Sequence, residues 1–426
     1  MFKRISGTKD ILPDETPSWQ EVEDLGRKVF SLYNYREVRP PLLEEAKLFS
    51  RSLGEFAEVV QKQMFLVKNQ DELYALRPEA TASVARAYIE NNLDKTYGFL
   101  KLYYTGAMFR LERPQKGRLR QFHHIGCEAI GSSLPEVDIE VISLANRLLE
   151  AWQVNNYTIK LNSLGCSEDK SKLSLNLRKA LKSNKGSLCE DCKVRYEKNT
   201  LRILDCKNEA CQEIVSKISL EEKHLCPECK AHFETVKNGL QNLGIRYEIL
   251  PQLVRGLDYY TRTIFEIKHD ALGTQDAIGA GGRYDNLLKE LGGPDVGAMG
   301  FAFGVERILL ASCGRLKKPE ENLVYIITMG EKPKAQGLRL LQDLRREGIA
   351  ADTDYEGKSL KGALRRANDL RAKRVLIIGE DELKKQIVTL KDMGSGEQKE
   401  IKQEDLIQSL RGANGGCEAK PKQTSS

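Results

Sequence analysis

The sequence predicts an α+β protein: an antiparallel sheet with helices, interrupted by a helical insertion and followed by a separate small α/β domain. Three observations carry this. Hydrophobic spacing changes to period two between Leu100 and Ile130, and strand-like sequence resumes at Tyr247. Between them, from Leu164 to about Gly244, the chain is helical in pattern, lysine-rich and cysteine-bearing, unlike either flank. Beyond the polar segment Arg315-Leu-Lys-Lys-Pro-Glu-Glu-Asn322, buried-type strands alternate with helical stretches.

The chain has 426 residues, room for two to four domains at roughly 100–200 residues each. With 40% hydrophobic and 30% charged residues, wholesale disorder is excluded. No run approaches the ~18 apolar residues of a membrane helix, and Met1-Phe-Lys-Arg-Ile-Ser-Gly7 lacks a signal-peptide apolar core. The expectation is a cytoplasmic protein with no membrane partner. A net charge of +6 permits a nucleic-acid partner without requiring one.

The first helix is signalled by Thr16 as a cap, Pro17 at the first position, and Trp19, Val22, Leu25, Val29 and Leu32 at helical spacing. In Val38-Arg-Pro-Pro-Leu42 the two prolines exclude a central strand and favour an edge or an interface. Met108–Glu112 reads as a strand and Gln121–Glu128 as its antiparallel partner, with Arg113–Arg120 as the loop. Period two groups Arg110 with Glu112, and His124 with Gly126 and Glu128. If those faces coincide, two carboxylates, a guanidinium and an imidazole share one side of the sheet; a solvated face is the alternative. Tyr247–Leu250 and Thr263–Ile267 read as strands, then a glycine-dense loop and a helix ending near Gly314. In the last domain, Val324–Thr328, Arg374–Ile378 and Gln386–Leu390 are expected strands, and Lys334–Glu347 and Leu360–Leu370 helices. The expected boundaries are 1–164 and 246–318 for the sheet body, 165–245 for the insertion, 323–412 for the α/β domain and 413–426 for a disordered tail.

No P-loop is present: Gly357-Lys-Ser359 would need a glycine where Asp352 stands. Guanidinium forks are the other device for phosphate. Arg110, Arg255 in Leu253-Val-Arg-Gly-Leu-Asp-Tyr-Tyr260, and Arg307 in Gly300-Phe-Ala-Phe-Gly-Val-Glu-Arg307 lie in apolar, glycine-rich contexts. Burying three such cations without anions is costly, which favours a phosphate-rich ligand over structural ion pairs. Arg113, Lys116, Arg118 and Arg120 around Gly117 suit a nucleic-acid contact. From Lys358 to Arg374 seven cations, Arg365 and Arg366 among them, face one Asp369, a flank suited to an RNA backbone or to solvent.

Of the ten cysteines, six fall within about forty residues. In a cytoplasmic setting these are thiols, metal ligands or catalysts. Cys189-x2-Cys192 and Cys226-x2-Cys229 form two knuckle-like pairs whose spacing suits a tetrahedral, structural zinc, with Cys206, Cys211 and His232 as further candidates. Reduced thiols in a helical insertion are the alternative.

Together these segments resemble the class II aminoacyl-tRNA synthetases, and specifically the bacterial-type histidyl-tRNA synthetases. Pro41 after the Trp19 helix, Phe109-Arg-Leu-Glu112 with its loop, and Gly304-Val-Glu-Arg307 are similar to the three class-wide motifs. Leu253–Tyr260 and Ala280-Gly-Gly-Arg-Tyr-Asp285 resemble the two segments that mark the histidine enzyme. The resemblance implies a class II antiparallel-sheet catalytic domain, a C-terminal anticodon-binding domain and a homodimer built on the first motif. It implies a ligase that joins L-histidine to tRNA-His using ATP and Mg2+.

By the same resemblance, Glu79 in Arg77-Pro-Glu-Ala-Thr81 accepts the α-ammonium with Thr81 beside it. Glu128 and Tyr260 read the imidazole, and Tyr259 and Tyr284 complete the histidine pocket. Arg110 takes the α-phosphate and the histidine carboxylate, Glu112 the adenine amino group, and Arg118 part of ATP. Arg307 takes the γ-phosphate, and Arg255 the charge that develops on the α-phosphate. Arg113, Lys116, Arg118 and Arg120 meet the tRNA acceptor end, and Arg365 and Arg366 belong to the anticodon module. His124 stands where the family usually has glutamine; each nitrogen of a neutral imidazole either donates or accepts, so its geometry toward a ligand differs from an amide's. The rival is a non-catalytic, histidine-sensing paralogue, a regulatory subunit of ATP phosphoribosyltransferase. Such paralogues tend to lose parts of the catalytic set and the anticodon domain, whereas Arg110, Arg255, Arg307 and the basic module are all present here.

Overall fold

The structure, a computed structural model, describes residues 2–54, 57–114, 117–218, 220, 222–275, 277–316 and 322–412. Lys116, the tail 413–426 and most of the polar segment before Asn322 lie outside the described residues. The chain divides into two compact units, Met1–Lys318 and Pro319–Ser426.

The first unit is organised by an eight-stranded sheet. Its order is Arg36–Glu37, Leu100–Phe109, Gln121–Ile130, Ala298–Gly304, Ala277–Arg283, Thr261–His269, Tyr157–Ser163 and Glu248–Ile249. The six long strands pair antiparallel, and the two short outer ones pair parallel. Arg36–Glu37, just before the prolines, is an edge strand, as the missing proline N–H requires.

The pairing register gives the sheet two unlike faces. Leu102 pairs with Glu128, Tyr104 with Gly126 and Gly106 with His124. Gly300, Ala302 and Gly304 pair with the same Glu128, Gly126 and His124 from the other side. Directly paired residues point the same way, so this face carries small residues interspersed with polar ones. The opposite face carries Tyr103, Ile125, Cys127, Ala129, Met299, Phe301, Phe303, Phe265 and Ile267.

Four helices cover that apolar face: Thr16–Leu32, Pro135–Ala151, Pro227–Asn242 and Val305–Ala311. Trp19, Val22, Val29 and Phe30 enter the core, whereas Leu32 of the expected stripe is exposed. Phe30 stacks on Tyr103 at 4.6 Å. Trp152, fully buried, donates its indole N–H to the Val22 carbonyl at 2.9 Å. Burying apolar side chains of this kind contributes about 1.5–3 kcal/mol each.

Two local expectations are corrected. Glu15, not Thr16, occupies the cap position of the first helix, because the Thr16 hydroxyl is spent on the Leu12 carbonyl at 3.0 Å. The strand expected over Met108–Glu112 runs from Leu100 and stops at Phe109. Arg110 makes one more ladder bond, to the Arg120 carbonyl at 2.9 Å, and then Leu111 turns away to the Gln63 carbonyl.

The cysteine-bearing region folds as helices Ser167–Leu181, Glu190–Lys198 and Glu209–Ser216 around Leu177, Leu181, Leu188, Tyr196, Ile203 and Val215. The following helix, Pro227–Asn242, instead lays Phe233, Val236 and Leu240 into the main core. A three-stranded sheet, Leu43–Glu45, Glu72–Leu76 and Phe65–Asn69, completes the unit.

The second unit has a five-stranded sheet in the order Ala351–Thr353, Val324–Thr328, Arg374–Ile378, Ile387–Asp392 and Gln398–Lys402. Alternation along its strands covers both faces. Val324, Ile326, Leu376 and Ile378 meet the helices Glu331–Arg346 and Leu406–Gly412, while Tyr325, Ile327 and Val375 meet Leu360–Asp369.

The first unit also contains a charge cluster centred on the fully buried Arg283 and Asp138. Arg283, with no exposed surface, donates to Asp138 Oδ1 at 2.5 Å, to Asp285 Oδ1 at 2.7 Å, and to the Ser132 and Leu134 carbonyls. Asp138 also bonds His232 Nε2 at 2.8 Å, so that imidazole is spent inside the fold. Removing one member of such a cluster strands the other charge in low dielectric. Arg283→Met is expected to cost about 3–5 kcal/mol in urea unfolding; an unchanged midpoint would show that the cluster is not structurally required.

Candidate active site

A cavity of about 720 Å³ opens on the small-residue face of the eight-stranded sheet. It exists because that face gives up its side chains: a Cβ at Gly300 would sit 1.8 Å from Glu128 Oε2, and one at Gly126 would sit 2.7 Å from the Tyr104 hydroxyl. Among its lining residues are Glu79, Thr81, Arg110, Glu112, Arg118, His124, Arg255, Tyr259, Tyr260, Tyr284 and Arg307, which the sequence reading singled out.

At the deep end Glu79 lines the cavity, and Glu128 sits behind the lining Thr81, Tyr104 and Tyr284. Glu79 lies at the start of helix Thr81–Glu90, and its oxygens accept the Thr81 and Ala82 backbone N–H groups at 2.7 and 2.9 Å. Burial nevertheless raises its pKa against those bonds. Glu128, also buried, takes the Thr81 hydroxyl at 2.7 Å and the Tyr104 hydroxyl at 3.4 Å on one oxygen, and the Tyr284 hydroxyl at 2.5 Å on the other. Desolvation, reinforced by the nearby Glu79, outweighs these donors and pushes Glu128 up to about 8. Tyr259 packs on Tyr260 with ring centroids 4.6 Å apart, and on Tyr284 at 5.6 Å.

The arginines spread from this end toward the mouth. Arg110 donates to the Pro78 carbonyl at 2.9 Å and lies over the Phe122 ring. Burial lowers its pKa, and it has no carboxylate in salt-bridge range among the described residues. Arg255 pairs with Glu266, and its buried Nε has no hydrogen-bond partner among the described residues. Arg118 pairs with Glu112. Arg307 donates to the Gly117 carbonyl at 3.0 Å and to the Ala277 carbonyl. His124 is held neutral: burial first, then Arg110 and Arg307, lower its pKa to about 3, and its Nδ1 has no hydrogen-bond partner among the described residues. It therefore offers the cavity an imidazole with one acceptor and one donor nitrogen.

Other expected residues fall outside this arrangement. Arg113 is exposed beside the mouth. Arg120 is half-buried and held by the Ser6 and Glu112 carbonyls. Arg365 and Arg366 are exposed on helix Leu360–Asp369 of the second unit.

The cysteine assignment needs correction. Cys189 and Cys192 do not meet Cys226 and Cys229. The first pair clusters with Cys206 and Cys211, and the second with Cys166 and Asp169, each set having its ligand atoms within 4.8 Å of one another. The two CxxC pairs are at the starts of different helices; the chain between them supplies Cys206 and Cys211 to the first, and the chain before them supplies Cys166 and Asp169 to the second. His232, bound to Asp138, belongs to neither set.

A family profile described as Histidyl-tRNA synthetase matches residues 7–308, and one described as Anticodon binding domain matches residues 323–412. The chain belongs to the histidyl-tRNA synthetase family. A histidine–tRNA ligase of Desulforamulus reducens is 45% identical over 411 residues, 95% of this chain and 97% of that protein. The apo S. aureus histidyl-tRNA synthetase superposes with a TM-score of 0.82 at 34% identity, covering 96% of this chain and 100% of that one. A Bacillus halodurans protein described as an ATP phosphoribosyltransferase regulatory subunit/histidyl-tRNA synthetase gives 0.64 at 21% identity, over 89% of this chain and 97% of that one, a likeness of fold.

Several residues in and around this cavity were not picked out from sequence. Glu266, the partner of Arg255, alternates with Phe265 and Ile267, and a lone acid in an apolar strand was the available signal. Arg77 is buried and bonds the Pro40 and Ala107 carbonyls at 2.9 and 3.1 Å, fixing the loop that carries Glu79. Lys170 bonds the Asp258 and Tyr260 carbonyls at 2.9 and 2.8 Å, and nothing in its helical, lysine-rich setting marked it. Glu306 accepts the His123 backbone N–H at 3.0 Å.

Because the native state holds the Glu128 proton more tightly than the unfolded chain, that stabilisation is complete below the ordinary carboxylate range and is lost as pH rises toward about 8. Measured by urea unfolding, the stability of the native chain relative to Glu128→Gln should fall between about pH 5 and pH 8, with a slope approaching 1.4 kcal/mol per pH unit. A flat difference would place Glu128 in the ordinary range.

Proposed function

We propose that this chain is a cytoplasmic histidine–tRNA ligase. It activates L-histidine with ATP, which arrives with Mg2+, to give histidyl-adenylate and pyrophosphate, and then passes the histidyl group to the 3′ end of tRNA-His. The observation that carries the reading is the joining, in one cavity, of an end lined by Glu79 and tyrosines, with Glu128 hydrogen-bonded to its Thr81, Tyr104 and Tyr284, and four arginines leading to its mouth.

The roles follow from the chemistry of each group. Glu79 accepts the α-ammonium, beside Thr81. Glu128 takes a ring N–H, with Tyr260 at the imidazole and Tyr259 and Tyr284 closing the walls. A buried polar contact of this kind rejects side chains lacking the matching group far better than an apolar wall would. His124 offers a neutral nitrogen to the same substrate. In the first step a histidine carboxylate oxygen attacks the α-phosphorus, the bond to the bridging oxygen breaks, and pyrophosphate leaves with the electron pair. Arg110 meets the carboxylate and the α-phosphate, Arg307 the γ-phosphate, Glu112 the adenine amino group, and Arg118 ATP. Arg255 neutralises charge building on the α-phosphate, so the protein works by positioning and electrostatics. In the second step a hydroxyl of the terminal tRNA ribose attacks the carbonyl carbon and AMP departs. Arg113, Arg118 and Arg120, with Lys116 of the same sequence segment, contact the acceptor end, and Arg365 and Arg366 take the anticodon.

The expected result of ATP–pyrophosphate exchange with all twenty amino acids is exchange with histidine alone. Arg255→Gln should slow it about 10²–10³-fold, and Arg365→Ala with Arg366→Ala should lower transfer to tRNA more than exchange. A folded protein with no exchange for any amino acid would instead support the histidine-sensing regulatory reading.

A homodimer is part of this proposal. Exposed Leu66 and Leu73 lie on one face of the three-stranded sheet and Leu43 and Val67 on the other, with Leu42 beside it, so both faces offer apolar side chains to a partner. Sedimentation should give twice the chain mass, and Leu66→Glu should shift it to monomer; a monomeric parent chain would remove the dimer from the proposal.

A further inference from the structure

The two thiol groups of the cysteine-bearing region have the geometry of metal sites. In the first, Cys189 caps helix Glu190–Lys198, Cys192 lies within it, Cys206 follows the turn Thr200–Asp205, and Cys211 lies in Glu209–Ser216. Cys192, Cys206 and Cys211 are buried. The Cys189 and Cys206 sulfurs are 3.8 Å apart. That is too long for a disulfide, at about 2.05 Å, and it equals the edge of a tetrahedron with zinc–sulfur bonds of about 2.3 Å. Backbone N–H groups point at two of the sulfurs, Cys189 N–H at Cys211 Sγ (3.3 Å) and Asn208 N–H at Cys206 Sγ (3.4 Å), the outer hydrogen bonds that orient thiolate ligands.

The second group joins two helix starts. Cys166 caps helix Ser167–Leu181, which contributes Asp169, and Cys226 caps Pro227–Asn242, which contributes Cys229. Cys229 N–H points at Cys226 Sγ at 3.4 Å. Asp169 is fully buried; its Oδ2 takes the Cys226 N–H at 3.0 Å, whereas Oδ1 accepts no hydrogen bond, with Lys172 at 3.7 Å. The Lys172 ammonium, itself exposed, meets Oδ1 only at salt-bridge range, so this buried carboxylate, grouped with three sulfurs within 4.8 Å, keeps a lone pair that a bound cation would satisfy.

We propose that this chain holds two structural zinc ions, one on Cys189, Cys192, Cys206 and Cys211 and the other on Cys166, Asp169, Cys226 and Cys229. Both clusters are closed four-ligand sets of thiolate and carboxylate, which suits a redox-inert tetrahedral ion without an open position for catalysis.

The sites flank a clamp on the active site. Between Cys192 and Cys206, Asn199 and Arg202 donate to Asp258 Oδ1 at 3.1 and 2.9 Å. Next to Asp169, Lys170 holds the Asp258 and Tyr260 carbonyls. The zinc ions thus fix the two segments that position Tyr259 and Tyr260, and Cys189 and Cys206 themselves line the cavity. This consequence rests on the proposed histidine pocket; the metal content does not.

The test is elemental analysis of the full chain purified without chelator from medium supplemented with zinc and iron. Two zinc ions per chain, falling to one in Cys211→Ser and to one in Cys226→Ser, are expected. Should either variant fail to fold, cobalt exchanged into the native chain should give thiolate charge-transfer bands and tetrahedral d–d absorption. Metal-free folded protein, iron in place of zinc, or a single zinc untouched by Cys226→Ser would overturn the proposal. Chelation that leaves the chain folded should raise the KM for histidine about tenfold. Two bound zinc ions in a chain without histidine-dependent exchange would sink the ligase reading and leave the metal sites standing.

Discussion

Everything in the catalytic unit depends on a sheet that is solid on one face and hollow on the other. The solid face is a close-packed apolar layer against four helices, and it provides the stability. The hollow face is made by glycine and alanine on paired strands, whose missing side chains leave space where a normal core would be. Antiparallel pairing makes this reliable, because a one-residue slip would exchange the faces entirely. The cavity is therefore a property of strand register as much as of the residues that line it.

A hollow face needs rigid walls, and buried ions supply them. Arg77 ties the loop bearing Glu79 to two neighbouring strands of backbone, and Arg283 ties Tyr284 to the start of helix Pro135–Ala151 through Asp138. Neither arginine faces a ligand. Each satisfies several carbonyls at once, which a guanidinium does and an ammonium does not. Placing the site on such anchors keeps its rotamers fixed before any substrate arrives.

Much of this was legible in the sequence. Period two and the register it implies put His124, Gly126 and Glu128 on one face, and the alternating pattern after residue 322 marked the second unit's sheet. The arginines were legible as cations in apolar settings. What escaped detection was set by distant partners. The CxxC pairs look like one site along the chain, yet each finds nearer ligands in space: Cys206 and Cys211 for one, Cys166 and Asp169 for the other. Thr16 looks like a cap but spends its hydroxyl on an earlier carbonyl. Lys170 and Glu266 act through backbone or through another side chain, so local spacing carried no sign of them.

In the cavity Arg255 pairs with Glu266 and Arg118 with Glu112. These guanidinium groups are not bare cations awaiting a phosphate; each already has an anion. A polyanionic ligand entering here trades places with a resident carboxylate, as in an ion exchanger, and the displaced carboxylate must find water or a donor on the ligand. In the proposed assignment, the released Glu112 carboxylate is the one that meets the adenine amino group. The cavity would thus gain selectivity from this exchange: an anion that cannot also supply a donor for the freed carboxylate recovers only half of what it breaks.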